Sequence, residues 1–211
     1  RYGMVWVCMS EKPRTPIPDC PLAETSEYNP IFKNKWVWKT SAGRATENFF
    51  DQAHFAFVHR GILGSPEQPR VSETQVERNG EILHFQVDVP ANKTIALPHV
   101  RNYSVFRPFT IYQRKEEPNG NKEVYLNYSC PNTAKETTRF LTIYRNFDPE
   151  EGSVIGIDEL QEVVTEQDRV IVERQRPEEL PLDLSEELHI KAPDSIAVQY
   201  RRFMAELGVE C

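Results

Sequence analysis

Alternating hydrophobic and polar positions dominate the middle of the chain and predict β-strands there. Asn79-Gly80 and residues 118–121 are turn signals between strand-like segments. Strands joined by short turns usually pair with their neighbours in sequence, so this region is predicted to form an antiparallel meander. The strand-like segments, all rich in aromatic and β-branched residues, are 71–78, 81–89, 100–114, 123–130 and 136–146.

The regions on either side of the meander have helical patterns. Residues 46–59 predict a helix with Thr46 as its N-cap. Apolar residues at three- and four-residue spacing predict a long amphipathic helix from about 154 to 174, and residues 195–207 predict a final helix. This order predicts an α+β fold in which an antiparallel sheet wraps around a long C-terminal helix and leaves a cavity between them.

The first 31 residues differ from the rest of the chain. Residues 4–9 alternate like a β-strand, and residues 11–31 contain five prolines, which excludes a regular helix and indicates an extended connector. The sequence begins without an initiating Met, so we expect a further domain upstream. We therefore divide the chain into 1–31, the end of that domain and its linker, and 32–211, the main domain.

Composition and charge argue against several classes of function. A content of 39% hydrophobic and 27% charged residues is typical of a globular protein, and the apolar runs are too short to span a membrane. A net charge of −7 argues against nucleic acid as a partner. The four cysteines are widely spaced, which indicates free thiols in a reducing, cytoplasmic environment.

The candidate chemistry lies in the motif Asp51-x2-His54-x4-His59. Two histidines and one carboxylate form the facial triad of non-heme Fe(II) oxygenases, which leaves open positions at the metal. The two histidines are five residues apart, about 140° around an ideal helix. A shared metal therefore requires the helix to end or unwind before His59. The alternative, on spacing alone, is that both histidines make ordinary hydrogen bonds.

Residues elsewhere in the chain remain open on sequence pattern alone. His84 and His99 could face the cavity and hydrogen-bond a substrate, but we interpret them, together with His189, as structural histidines. Strand alternation places about half of the side chains of each strand on the cavity side, without saying which half. Four carboxylates of the long helix could complete a triad, namely Asp158, Glu162, Glu166 and Asp168. Side chains on the strands that could face the cavity are Phe106, Tyr112, Asn127, Tyr128 and Tyr144.

Several segments, in the correct order along nearly the whole chain, resemble the α-subunits of Rieske non-heme iron oxygenases. The likeness is closest to the branch that contains vanillate demethylases, dicamba demethylases and pheophorbide oxygenases. It implies a helix-grip fold of the START/Bet v1 type. The matching segments are RYGMVWV at 1–7, DxxHxxxxH at 51–59, HRGILG at 59–64, EQDR at 166–169, QRP at 175–177 and YRRF at 200–203.

The resemblance also implies roles for individual residues. His54, His59 and Asp168 correspond to the three ligands of a mononuclear Fe(II). Asp51 corresponds to an acid that links His54 to the Rieske histidine of a neighbouring subunit in a homotrimer, and Asn48 would assist near the iron. No cysteine in this sequence has a histidine two or three positions later, so the Rieske [2Fe–2S] cluster would belong to the upstream domain.

The implied function is that of an oxygenase acting on a small aromatic or polycyclic substrate. The enzyme would hydroxylate or O-/N-demethylate this substrate with O2 and with electrons from NAD(P)H. A ferredoxin or flavin reductase would deliver the electrons through the Rieske cluster, so this chain would be inactive alone. One alternative is a non-enzymatic helix-grip domain that binds lipids or small molecules. The other is a ring-dihydroxylating α-subunit with a small β-subunit.

Overall fold

A seven-stranded antiparallel sheet forms the centre of the computed structural model, which describes residues 1–91, 97–147 and 156–208. Strands β2 to β7 pair consecutively, and β1 joins the edge at β7, giving the order β1-β7-β6-β5-β4-β3-β2. The predicted meander is confirmed. The strands are β1 Asn29–Trp38, β2 Val76–Asn79, β3 Ile82–Val89, β4 His99–Phe106, β5 Thr110–Glu116, β6 Lys122–Thr133 and β7 Glu136–Arg145.

Helices pack on one face of the sheet, called the inner face here. Tyr200 and Phe203 of α4 are buried against Leu83 and Val105 of the sheet. Ile157, at the start of α3, packs against β7. The predicted α+β class, with a sheet around helices, is confirmed. The helices form the layer that buries the apolar inner face of the sheet. The helices are α1 Ala42–Phe50, α2 Phe55–Val58, α3 Ile157–Val172 and α4 Ser195–Ala205, with a short 3-10 helix at Pro21–Glu24.

Residues 1–28 contribute side chains that cover the outer face of the sheet. Tyr2, Cys20 and Tyr28 are buried there against side chains of β5, β6 and β7. The prediction of a strand at 4–9 was wrong. Met4 and Trp6 pack toward the outer face, whereas Val5, Val7 and Met9 are largely exposed. The segment thus alternates as a strand does, but within the described residues it pairs with no other strand.

Two strand predictions were wrong in their boundaries. The segment 100–114 is two strands, because the chain turns between Phe106 and Thr110 around Pro108, which has no N–H to donate to a ladder. The segment 71–78 contributes only the short β2. Strand β1 was not predicted at all, because its first residues fall in the proline-rich connector. Pro30 is accommodated because β1 is an edge strand with an irregular register beside it.

The predicted helix at 46–59 is two helices in the structure. Ser41 is the N-cap of α1, where its side chain accepts a hydrogen bond from the Arg44 amide at 3.2 Å, so the prediction of Thr46 as N-cap was wrong. Helix α1 ends at Phe50, and α2 begins only at Phe55. The expected break before His59 is therefore present.

The C-terminal helices agree with prediction over the described residues. Helix α3 starts at Ile157 after its N-cap Gly156, and the first residues of the predicted helix, 154 and 155, lie outside the described part. Helix α4 ends at Ala205, two residues short of the predicted end. Among the helices that the structure describes, none has both the length and the apolar character needed to cross a bilayer.

Candidate metal centre

The side chains of His54, His59 and Asp168 converge on one point. Nε2 of His54 lies 3.2 Å from Nε2 of His59. Oδ1 of Asp168 lies 2.9 Å from Nε2 of His59 and 3.3 Å from Nε2 of His54. The site is enclosed, since the side chain of His59 is 1% exposed and that of Asp168 is 7% exposed. The structure thus brings together the three residues that the resemblance implied as ligands.

The break between α1 and α2 makes this convergence possible. Asp51 leaves the helix with extended backbone angles, and its Oδ1 accepts a hydrogen bond from the Ala53 amide at 2.8 Å. His54 then stands immediately before α2, and His59 immediately after it. One short turn of helix between the histidines lets both rings face α3, which five residues of regular helix would not allow.

Each histidine has a polar partner on the side away from the shared point. Oδ2 of Asp51 lies 3.0 Å from Nδ1 of His54, and Oε1 of Gln167 lies 2.8 Å from Nδ1 of His59. With Asp51 ionised and Gln167 presenting its oxygen, both Nδ1 atoms act as donors. Both Nε2 atoms then direct lone pairs at the shared point, which is the tautomer that metal-binding histidines adopt.

The charges around the centre favour a cation at the shared point. Burial opposes ionisation of Asp168, yet its contacts with His54 and His59 and the charge of Arg139 hold its pKa well below the usual range. Burial also opposes a charge on His54, but Asp168 and Asp51 raise the pKa of His54 to about 9. The same field that draws a proton to His54 would stabilise a divalent cation there.

The residues present fit a transition-metal ion of the Fe(II) type. Oδ1 of Asp168 is buried, and with both histidine Nε2 atoms unprotonated it accepts no hydrogen bond from the described residues. Two imidazole nitrogens and this carboxylate oxygen are the donor set of the facial triad. Across the described residues, His54, His59 and Asp168 are the one group of three or more such ligands close enough to share an ion.

The structure also distinguishes between the carboxylates that the sequence left open. Asp158, Glu162 and Glu166 are exposed on α3, whereas Asp168 is buried and faces the histidines. Glu162 accepts hydrogen bonds from Asn34 and Trp36 of β1 instead. Only the position of α3 against α1 and the sheet shows which carboxylate reaches the centre.

A cavity of about 370 Å³ adjoins the centre, within the size range of small-molecule sites. Asn48, one turn before Asp51 on α1, lines this cavity, and its Nδ2 is buried with no hydrogen-bond partner among the described residues. Phe49 and Leu160 line the apolar side. The other side is polar and is formed by His99, Arg101, Gln113, Lys115 and Tyr125 of the sheet.

Several residues at the site were not predicted from sequence patterns. Gln167, Arg101 and Arg139 were not singled out, because their positions depend on strand faces and on helix packing. His99, interpreted as structural, lines the cavity. Asn127 lies on the inner face and accepts a 3.4 Å hydrogen bond from Arg139. The suggestion that other strand residues face the cavity was wrong, since they pack toward the outer face, namely Phe106, Tyr112, Tyr128 and Tyr144.

The fold and the site together define a helix-grip domain with a candidate mononuclear metal centre. Residues 38–210 match the family model described as the vanillate O-demethylase oxygenase C-terminal domain. This match covers most of the chain, so the chain belongs to that family. The resemblance to the catalytic domains of Rieske oxygenases is confirmed.

Similar proteins include demethylases of methylxanthines. The chain is 28% identical to methylxanthine N1-demethylase NdmA of Pseudomonas putida over 98% of its own length and 59% of the relative's length. It thus spans about three-fifths of this relative. Among solved structures, NdmB of Pseudomonas putida matches with a TM-score of 0.77 and 26% identity, covering 91% of this chain and 54% of NdmB.

A more distant structure has the same fold. Dicamba monooxygenase bound to dicamba matches with a TM-score of 0.73 and 18% identity, covering 90% of this chain and 61% of that protein. At this identity, the likeness shows the helix-grip fold alone.

Proposed function

We propose that this chain is the catalytic domain of a Rieske-type oxygenase and that His54, His59 and Asp168 hold a mononuclear Fe(II). The observation that carries the proposal is the convergence of two histidine nitrogens and one buried carboxylate oxygen on a single point. Family membership and the demethylase names of the relatives support it. The helix-grip carrier lacks such support, because binding a lipid gives no reason to bury three metal-ligand groups together.

The iron would supply a centre that takes up O2 and electrons next to the bound substrate. The residues of the chain perform the remaining tasks. Asp51 and Gln167 orient the two histidine rings, and Arg139, with Nη1 3.9 Å from Oδ2 of Asp168, favours the ionised carboxylate. The cavity beside the centre would bind the substrate and exclude bulk water, and Asn48 would contribute its free amide there.

The complete enzyme would contain more than this chain. Residues 1–31 would end and link an upstream Rieske domain, and residues 32–211 would form the catalytic domain. Asp51 has a side chain that is 34% exposed, so one of its edges is reachable from outside while the other contacts His54. This position supports a role as the bridge to the Rieske cluster of a neighbouring subunit in a homotrimer. A ferredoxin or flavin reductase in the cytoplasm would supply the electrons.

The reaction would be hydroxylation or O-/N-demethylation of a small organic molecule. The relatives named as N1- and N3-demethylases of methylxanthines support demethylation in particular. A cavity of about 370 Å³ has room for a molecule with one or two rings.

The proposal is tested by iron content under anaerobic conditions. The protein, loaded with Fe(II) and freed of excess metal, should retain about one mononuclear iron per chain, and His59→Ala and Asp168→Ala should each retain almost none. His84→Ala is the matched control, because His84 lies 3.0 Å from the Ser104 hydroxyl and takes no part in the triad. Wild-type protein without stoichiometric iron, or His59→Ala with unchanged iron, would leave the carrier as the better interpretation.

A further inference from the structure

Three cationic side chains line the cavity beside the candidate metal centre. Two of them are close to carboxylates. Nζ of Lys115 lies 3.0 Å from Glu117 and 3.3 Å from Glu123, and Arg139 approaches Asp168 as described above. The third cation, Arg101, differs from these two.

Arg101 is a mostly buried residue whose guanidinium has no acidic partner among the described residues. Arg101 is only 8% exposed, and no carboxylate of the described residues lies within 4.0 Å of its guanidinium. Its contacts are with neutral groups. Nε donates to Nε2 of His99 at 3.2 Å, and Cζ lies 5.1 Å from the centre of the Phe55 ring.

His99 holds this guanidinium without neutralising it. Nδ1 of His99 lies 3.3 Å from the carbonyl oxygen of Leu97, so Nδ1 carries the proton and Nε2 accepts from Arg101. Burial, together with the charges of Arg101 and Lys115, lowers the pKa of His99 to about 4, which keeps the ring neutral at physiological pH. Arg101 is thus fixed through Nε, and its two terminal amino groups have no partner among the described residues.

The terminal amino groups of Arg101 are not among the fully buried polar atoms, so they are accessible from the cavity that Arg101 lines. The unpaired amino groups of Arg101 form part of a planar fork of donors, which matches the two oxygens of a carboxylate. Phe55 is a contact that Arg101 and His59 share, since its ring centre lies 5.1 Å from Cζ of Arg101 and 5.7 Å from the centre of the His59 ring. A group bound by Arg101 would therefore lie in the same cavity as the histidines.

We propose that Arg101 is a specificity-determining residue that binds the carboxylate of a small organic acid in this cavity. The acid would extend from Arg101 past Phe55 to the candidate metal centre, which places a ring substituent next to His54 and His59. Lys115 does not fill this role, because Glu117 and Glu123 already pair with it. The proposal rests on the proposed function for the reaction itself, but binding of the acid is measured without turnover.

The test compares two ligands that differ in charge and little in shape, 3-methoxybenzoate and 3-methoxybenzamide. Their dissociation constants are measured anaerobically by titration calorimetry, on iron-loaded protein and on protein treated with a chelator. The variants are Arg101→Met and Arg101→Lys. The matched control is Arg114→Met, because Arg114 pairs with Asn102 in the same sheet and lines a different groove.

We expect wild type to bind the benzoate at least about ten-fold tighter than the benzamide, since hydrogen bonds between two charged groups are stronger than those to a neutral group. Arg101→Met should remove this preference, and Arg101→Lys should keep only part of it, because an ammonium lacks the fork. Arg114→Met should bind like wild type. The preference should persist after treatment with the chelator.

Several results would overturn the proposal. Equal affinity of wild type for both ligands, or no binding of the benzoate at millimolar concentrations, excludes a carboxylate site. An unchanged preference in Arg101→Met and Arg101→Lys assigns the carboxylate to another residue. A preference that disappears with the chelator shows that the carboxylate binds the metal instead. Iron content, measured in the same preparations, reports separately on the proposed function.

Discussion

Nδ1 of His59 lies 2.8 Å from Oε1 of Gln167, the residue directly before the carboxylate of the candidate metal centre. Consecutive residues of α3 therefore perform two tasks. Asp168 faces the shared point, and Gln167 fixes the proton of a histidine 108 positions earlier in the chain. An acceptor at this place holds the ring in one orientation and directs its Nε2 lone pair at the metal.

Loss of this acceptor should weaken iron binding. We expect Gln167→Leu to lower the affinity for Fe(II) by about 10–100-fold, because partners of this kind contribute that much in metal sites. The affinity is measured by competition with a chelator under anaerobic conditions. Gln161→Leu on the same helix is the control and should bind iron like wild type. Equal affinities in the two variants would show that the contact with Gln167 has no influence on the metal.

Asp51 should matter more for electron transfer than for the presence of iron. In Asp51→Asn, one oxygen remains to cap the Ala53 amide, but the negative charge beside His54 is lost. At saturating iron, the full-length protein should keep about one mononuclear iron per catalytic domain. The rate at which its reduced Rieske cluster is oxidised by O2 in the presence of substrate should fall at least about ten-fold.

Glu166→Gln is the control for this experiment, because Glu166 is exposed and, within the described part of the chain, pairs only with Arg169. Asp51→Asn with a wild-type rate would contradict a bridging role. A loss of iron at saturating metal would show that Asp51 acts mainly on metal binding.

Local patterns predicted most of the fold, because turns and alternation are short-range signals. Asn79-Gly80 separates β2 from β3 as predicted, and the period of α3 identified that helix. Strand β1 was missed because its pairing with β7 connects residues 99 to 116 positions apart, a relation that local pattern does not contain.

The candidate site was predicted unevenly for the same reason. His54 and His59 lie close together in sequence, so their motif was visible. The choice of Asp168 came from the resemblance, because four carboxylates of α3 have equivalent local patterns. Gln167 gains its meaning from His59, which tertiary packing brings to it, and Arg101 gains its meaning from the cavity that forms over its strand.

Gly64 allows the loop after α2 to pack against that helix. A Cβ at this position would lie 2.8 Å from the backbone carbon of Phe55 and 2.9 Å from the backbone of Ala56. Gly64→Ala should therefore lower the free energy of unfolding by about 1–3 kcal/mol, as overpacking does, and should weaken iron binding through His54 and His59. Urea denaturation measures the first effect.

Gly156→Ala is the control, because a Cβ at Gly156 meets no atom of the described residues within 4 Å. This change should alter the free energy of unfolding by less than about 1 kcal/mol, the usual size of an N-cap effect. If Gly64→Ala is as stable as the control and binds iron normally, the loop after α2 shifts to accommodate the added Cβ without loss of stability, and the prediction is wrong.

His99 should make the iron-free protein less stable in weak acid. Its pKa is about 4 in the folded state because of burial and is near 6.5 when exposed. The unfolded state therefore takes up a proton first as the pH falls, so stability is lost from about pH 6.5 down to about pH 4. His99→Gln keeps an acceptor for Arg101 and removes this titration.

From pH 7.5 to pH 5, we expect wild type to lose about 1 kcal/mol more unfolding free energy than His99→Gln loses. The full difference between the folded and unfolded pKa values of His99 would give a larger change. We expect a smaller one because His99 borders the cavity, where solvent screens its charge. Urea denaturation at the two pH values measures the change. A difference in unfolding free energy between the two proteins that is independent of pH would show that His99 titrates normally in the folded protein.

The location of bound iron shows whether His54, His59 and Asp168 form a metal centre. Crystals of the protein loaded anaerobically with Fe(II) should show an anomalous scattering peak at the iron absorption edge. We predict one strong peak within coordinating distance of Nε2 of His54, Nε2 of His59 and a carboxylate oxygen of Asp168. Iron bound elsewhere, or no peak in crystals that contain stoichiometric iron, would contradict it.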